Sequence, residues 1–314
     1  MVFYMLYLML SLWIIVALLI LLEKRNMIIL IYTGVFGLVS ASAFFLLGSP
    51  DLAMAEAAIG SFTVVFFIVC LNHHYDLDPN LNNTPKLTKT GYLKRYLPPL
   101  LFTILSASLF IYFIPDKVFN TYLKDLYLIR FMEDIGGFNA VTAIYLRYRI
   151  YDTMFEALML VIAAVAAVHL SKFGEATTKD GQQSEIAHLG MTVFTLRIIS
   201  SILLLFIVYL IINGHIAAGG GFQGGLLIAI FFIIRYMAYN VYDLPIAKVA
   251  KAEEAVFIAI ALLASAIVFQ GLFGFMSRPP YQEIYLLTMN ILVGAKVACS
   301  FILLFYRFIA IERK

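Results

Sequence analysis

Four short stretches of this 314-residue sequence hold ionisable side chains in apolar or glycine-rich surroundings. In SPDLAMAEAAIGSF, Glu56 follows Asp51 by about one and a half helical turns and is flanked by Ala53, Ala55, Ala57, Ala58 and Gly60. In RYRIYDTMFEAL, Asp152 and Glu156 stand four residues apart, with Arg147 and Arg149 just upstream. That spacing puts both carboxylates on one face of a helix. In NILVGAKVACSFILL, Lys296 is mid-stretch, with Asn290, Gly294 and Ser300 giving its helix a partly polar character. NGHIAAGGGFQGG places His215 among Gly214, Gly219, Gly220, Gly221, Gly224 and Gly225. Carboxylates are hard oxygen ligands, suited to Na⁺ or protons rather than to a soft metal. A lysine out of water exchanges its proton more readily than one in water, and an imidazole titrates near neutral pH unaided.

Each of these groups has a plainer reading. Glu56 is either a protonated or paired structural carboxyl or part of an ion relay; its small neighbours let helices approach and turn it toward protein or water. Asp152 and Glu156 complement the positive end of a helix and pair with arginine, or they meet a cation. Lys296 pairs with a carboxylate from another block or subunit, exchanges protons, or does both. Arg197 can snorkel to the interface. His73, His74, His169 and His188 read as interfacial.

The helices that must position these groups follow from composition. Hydrophobic residues make up 63% of the chain and charged residues 13%, whereas a soluble domain is nearer half apolar and a quarter charged. Apolar runs recur along the whole length, so the fold class is an all-α polytopic membrane protein. The alternation of a membrane β-barrel is absent. Nine spans are expected, at 3–22, 27–47, 51–72, 97–114, 152–171, 193–212, 222–242, 254–275 and 286–308. The first is expected to be retained, because it ends at LLEKRN and not at a cleavage site. In GSPD, Asp51 can cap the third helix. Cys70 and Cys299 lie in apolar runs and imply neither a disulfide nor a metal site.

Lysine and arginine set the orientation. Twelve fall on the side of Lys24, Lys86 and Lys314, and six on the side of Lys117, Arg130 and Arg278. The first side is therefore cytoplasmic. The N-terminus and the glycine loop are expected outside and the C-terminus inside, in the cell membrane. The net charge of +3 reads as topology, not nucleic-acid binding. Polar linkers at 76–96 and 172–190 separate blocks at 1–75, 97–171 and 191–314, of three, two and four spans. On this map Asp51, Glu56, Asp152, Glu156 and His215 lie toward the outer half and can line one polar funnel. The glycine loop lacks the lysine and serine of a nucleotide loop. It reads as close backbone approach, where irregular chain packs on protein or lines water.

The motifs then point to a family. GHIAAGGGFQGGLLIA resembles the glycine signature of the B subunit of Mrp-type multisubunit Na⁺/H⁺ antiporters, the F-like subunit of membrane-bound hydrogenases of the Mbh type. LVGAKVACSFILLF is similar to that subunit's closing helix. SPDLAMAEAAIGSFTVVFFI resembles the D-like subunit, and NAVTAIYLRYRIYDTMFEALML resembles the E-like piece. The chain departs from the family at Ile216 and Ala218, where asparagine and proline are usual, and at Arg147, where an aspartate is common.

The resemblance implies a fusion of D-, E- and F-like units. They would form a membrane subunit contributing to a sodium path, with Glu56, Asp152 and Glu156 as its carboxylates and Glu56 and Asp152 favoured as Na⁺ ligands. The implied partners are large proton-translocating subunits, hydrogenase-like redox subunits and the bilayer. No cofactor and no redox chemistry in this chain are expected, since no haem, flavin or iron–sulfur motif occurs. The rivals are a structural adaptor that seals a respiratory complex against lipid, and an independent carrier.

Overall fold

The computed structural model describes residues 2–74, 97, 101, 103–105, 108, 122–171, 190–239, 244–269 and 281–310. The linker 76–96 lies outside them, as does 172–190 apart from Gly190, and most of the expected span 97–114. All regular structure among the described residues is helical. The helices are α1 (Val2–Leu22), α2 (Asn26–Leu46), α3 (Pro50–His74), α4 (Tyr122–Ile135), α5 (Ala140–Ala143), α6 (Ile150–Ser171), α7 (Gly190–Asn213), α8 (Gly221–Tyr239), α9 (Ile246–Val268) and α10 (Tyr281–Ala310). A π-helical turn, Ile144–Tyr148, joins α5 to α6.

The backbone divides into two compact units, Met1–Tyr75 with Tyr127–Lys314, and Asp76–Leu126. In the second, the described residues Leu97, Leu101, Ile104 and Leu105 are exposed.

Nine spans were expected; six helices among the described residues are long and apolar enough to cross a membrane. They are Tyr4–Leu22, Asn26–Leu46, Pro50–Leu71, Ile150–His169, Phe194–Asn213 and Tyr281–Phe308, with Gly221–Tyr236 as a shorter apolar helix. The expected span 254–275 begins inside a longer helix, and residues 270–275 lie outside the described residues. Its helix, α9, begins at Ile246 and carries Lys248, Lys251, Glu253 and Glu254 in its first turns. The reason is that the charged stretch has good helix formers, so the helix runs on past the hydropathy edge. The expected outer loop 115–151 also contains structure, α4, α5 and the π turn.

Small residues set the packing inside the first block. Gly37 of α2 faces Gly60 of α3, where an added Cβ would lie 3.6 Å from the Gly60 Cα. Without a hydrophobic force between helices in lipid, this close approach is what dispersion needs. Trp13 of α1 stacks on Phe36 at 4.7 Å between centroids and donates its indole N–H to Ser40 at 2.8 Å.

The opposite face of α3 buries Ala58, Phe62, Phe66, Val69 and Cys70. Phe62 meets Phe301 of α10 edge-on at 4.6 Å, and Phe66 meets Phe308 at 5.5 Å. α10 is the central post, since α6, α8 and α9 also pack against it. Leu286, Met289, Val297 and Phe305 along its length are fully buried.

Candidate functional site

Asp51 does not cap α3, as the sequence suggested. Pro50 and Asp51 lie in the helix's first turn, and the Asp51 carboxylate reaches away from it. Its Oδ1 accepts from the Asn139 side-chain amide at 3.0 Å and from the Gly219 backbone N–H at 3.1 Å. The same Asn139 amide donates to the carbonyls of Gly214 at 3.2 Å and Ala217 at 2.9 Å. Its Oδ1 caps α5 by accepting from Val141 and Thr142. The His215 carbonyl accepts from the backbone N–H groups of Phe138 and Asn139, and Thr142 Oγ1 donates to Gly214 at 2.6 Å. One asparagine thus ties the start of α3 to the glycine loop and to α5.

The glycine stretch itself is shorter as a loop than the sequence implied. Gly221, Gly224 and Gly225 are already helical, in the first turns of α8. Gly219 has φ 141°, a conformation glycine adopts and side-chain-bearing residues rarely do. Gly221 and Gly225 let α8 lie backbone to backbone on α10, because a Cβ at either would overlap a carbonyl oxygen, that of Asn290 or Gly294. The close approach expected from the sequence is therefore made by these two residues. The Nδ1 of His215 is buried and has no hydrogen-bond partner among the described residues.

Below the loop, Asn290 of α10 is fully buried and accepts from Tyr145 OH at 3.1 Å and from Gly221 N–H at 3.2 Å. Burial pushes the Tyr145 phenol up to about 12; a hydrogen bond with Thr142 works against this, and the negative charges of Asp51 and Glu156 add to it. Tyr145 is therefore within electrostatic reach of both carboxylates. Thr153 of α6 fixes the π turn by donating to the Tyr145 carbonyl at 2.6 Å.

The expected single funnel is not what the helices build. Glu56 is half-buried on the α2 side of α3, where a Cβ on Gly37 would lie 3.8 Å from its Oε1. That face is set by the Gly37–Gly60 contact, away from the aromatic face that meets α10. Asp152 is on the exposed face of α6 and pairs with Arg149 at 2.6 Å. Glu156 shares that exposed face but also lines a small cavity with Thr153, Ala157, Ile260, Val293 and Lys296. The cavity has ≈ 10 Å³ of room, about what one water requires. Arg147 holds its guanidinium 5.9 Å from the Tyr285 ring centroid and lines a recess of ≈ 540 Å³ with Glu133 and Asp134. No group of three histidine, cysteine, aspartate or glutamate side chains suited to a metal ion occurs among the described residues.

The sequence reading missed Glu253. It stands just before the expected span 254–275, yet its side chain is 3% exposed and forms an ion pair with Lys296, itself 1% exposed. This corrects the expected partner from another block or subunit, since α9 and α10 are neighbours within the last block. The signal was available in spacing. Glu253, Ile260, Ala264 and Ile267 all fall on the buried face of α9, at intervals near multiples of the helical repeat. Asn139 was also missed; it lies in a quoted motif, but nothing local marks an asparagine that bonds across 88 residues.

Comparison with known proteins places these elements. Residues 191–312 match a family model described as a domain related to the MnhB subunit of Na⁺/H⁺ antiporter. Residues 11–75 match the MbhD model, that of the D subunit of MBH. A protein of Staphylococcus saprophyticus named as an antiporter subunit mnhA2 is 27% identical over 162 residues, which is 51% of this chain and 19% of that one. Its counterpart in Staphylococcus haemolyticus is 28% identical over 157 residues, 50% and 19% of the two chains. The chain thus spans about a fifth of the length of these curated relatives.

Two solved structures share the fold. One is the Mrp complex from Dietzia sp. DQ12-45-1b, with TM-score 0.72 and 17% identity over 96% of this chain and 34% of that one. The other is the membrane-bound sulfane sulfur reductase, an archaeal respiratory membrane complex. There the TM-score is 0.53 and the identity 24%, over 68% of this chain and 97% of that one.

Proposed function

We propose that this chain, whose segments match the MnhB-related and MbhD family models, is a membrane subunit of the Mrp/Mbh antiporter type that contributes to a sodium path. The observation that carries this reading concerns two carboxylates. Glu56 and Glu156 lie within apolar spans, and neither makes an ion pair or hydrogen bond among the described residues. A charge in hydrocarbon costs a few kcal/mol, so each must hold a proton, face water or a partner subunit, or meet a cation. A cation path supplies the last of these at both depths. Large proton-translocating subunits and hydrogenase-like redox subunits are the proposed partners. Three fused units, at 1–75, 97–171 and 191–314, are the proposed organisation.

In Na⁺ uptake by vesicles carrying the whole complex, Glu56→Gln is expected to assemble normally and lower transport, since the amide keeps the shape and loses the charge. Asp152→Asn acts in the same direction but more weakly, because Arg149 already neutralises that carboxylate. Equal uptake by wild type and Glu56→Gln across Na⁺ concentrations removes Glu56 from the path. If Glu156→Gln is equally silent, the chain is a structural adaptor. The outer loop favours that second reading for its own residues, because the Asp51 Oδ1 that holds the loop is already engaged by two internal donors.

Orientation is tested separately. Single-cysteine labelling of intact cells is expected to reach the N-terminus and the 213–220 loop from outside and to leave the C-terminus unlabelled. Outside labelling of the C-terminus reverses the path's direction.

A further inference from the structure

The buried pair between α9 and α10 has a composition that packing does not require. Lys296 Nζ contacts Glu253 Oε1 and donates to Ser300 Oγ at 3.1 Å, and Ser300 Oγ donates to Glu253 Oε1 at 3.1 Å. Ammonium, hydroxyl and carboxylate close a triangle, so a proton has two routes from nitrogen to carboxylate, one direct and one through the hydroxyl. Buried ion pairs contribute little net stability, and apolar residues of similar volume would hold two helices as well. On its other side Lys296 lines the one-water cavity with Glu156 of α6. The remaining groups facing it are the Phe257 ring, 5.8 Å from Nζ, and the Cys299 thiol on its own helix.

We propose that Glu253 and Lys296 form a proton-exchange pair whose state is set by cation occupancy at Glu156. With Glu156 empty of cation, Lys296 is an ammonium paired with Glu253, and Glu156 lines the cavity on its other side. A cation at Glu156 repels it. The N–H bond breaks, the proton passes to Glu253, directly or through Ser300, and a neutral amine faces a carboxylic acid. The acid then releases the proton toward the start of α9, where Lys248, Lys251 and Glu254 are exposed. The pair is left with one negative charge, which balances the cation. Departure of the cation draws one proton back, so one cation exchanges for one proton. This rests on the reading of Glu156 as a cation-facing carboxylate.

The test uses vesicles carrying the intact complex, with Na⁺ uptake, Na⁺-driven proton movement and assembly on native gels read separately. Lys296→Arg keeps the charge but does not release a proton. It is expected to assemble and to lower Na⁺-driven proton movement by about tenfold or more. The double variant Lys296→Met with Glu253→Gln removes both charges at similar volume. It too is expected to assemble and to lose proton movement, whereas a merely structural pair would leave the double variant active. Proton movement within about twofold of wild type in either assembled variant overturns the proposal. If neither assembles, Glu253→Asp decides; it keeps the charge but draws the carboxylate back by about one methylene, so it is expected to slow proton movement about threefold or more, and an unchanged rate overturns the proposal. Glu156→Gln tells the two ideas apart. Unchanged Na⁺ uptake in that variant, alongside lost proton movement in Lys296→Arg, would remove the cation reading and leave the pair a proton relay.

Discussion

Gly221→Ala is expected to destabilise the packing of α8 on α10 severely, although it adds a single methyl to a helix. The new Cβ would overlap the Asn290 carbonyl oxygen and lie 2.9 Å from the Gly294 nitrogen and 3.1 Å from the Asn290 carbonyl carbon. All three are backbone atoms of α10, so no rotamer change relieves the clash. The helices must part, and the Gly221 N–H to Asn290 Oδ1 bond goes with them. Overpacking a core costs about 1–3 kcal/mol when side chains can yield, and here none can, so the upper end is the floor. Gly224→Ala is the control on the same helix. Its Cβ would overlap Cγ1 of Ile211, a side-chain atom and not backbone, and the expected loss is about 1–3 kcal/mol. The thermal midpoint of the assembled complex in detergent, read by native gel, checks both. A Gly221→Ala midpoint within about 2 °C of wild type would mean that α8 and α10 are not in backbone contact.

The contrast shows what the sequence disclosed. A glycine cluster between apolar runs signals close approach, and it does so because only backbone can be that near backbone. It does not say which helix is approached. Gly294 of α10 is 73 positions from Gly221, and the pairing appears only when the two helices are laid together.

Hydropathy found α1, α2, α3, α6, α7 and α10 because their apolar runs are long and end in polar residues. It started α9 too late, since a charged first turn looks like loop when its buried carboxylate already has a lysine partner on another helix. It also placed Glu56 in a funnel with Asp152, because position along a span fixes depth but not which neighbour a face meets. The Gly37–Gly60 contact decides that, and it turns Glu56 toward α2. The reading of Asp152 was closer, since Arg149 stands three residues before it and pairs with it.

Asn139→Asp is expected to be more damaging than Asn139→Ala, although it is nearly isosteric. The introduced carboxyl keeps one role, because an aspartate caps a helix as well as an asparagine does and Val141 and Thr142 still find an acceptor. The other role inverts. The amide nitrogen donates to Asp51 Oδ1 and to the carbonyls of Gly214 and Ala217, and an oxygen there faces three acceptors.

Alanine loses the bonds and the cap, about 2–4 kcal/mol in all. The ionised variant keeps the cap but adds like-charge repulsion from Asp51 and leaves oxygens opposed, about 3–5 kcal/mol.

The two variants also separate by pH. Repulsion from Asp51 raises the folded-state pKa of the introduced carboxyl above its unfolded value of about 3.9. Its penalty is therefore absent below that value, grows as pH rises and is complete above the folded pKa. The alanine variant has no such dependence. Asp51→Asn placed on Asn139→Asp should recover part of the loss, because the amide at position 51 can donate to the new carboxylate while its oxygen still accepts from Gly219. Gly214 and Ala217 remain without their donor, so recovery stays incomplete. Complex half-lives at pH 5 and pH 8 measure the series. If Asn139→Asp outlasts Asn139→Ala at pH 8, the amide is not the tie between α3 and the glycine loop, and that loop is held some other way.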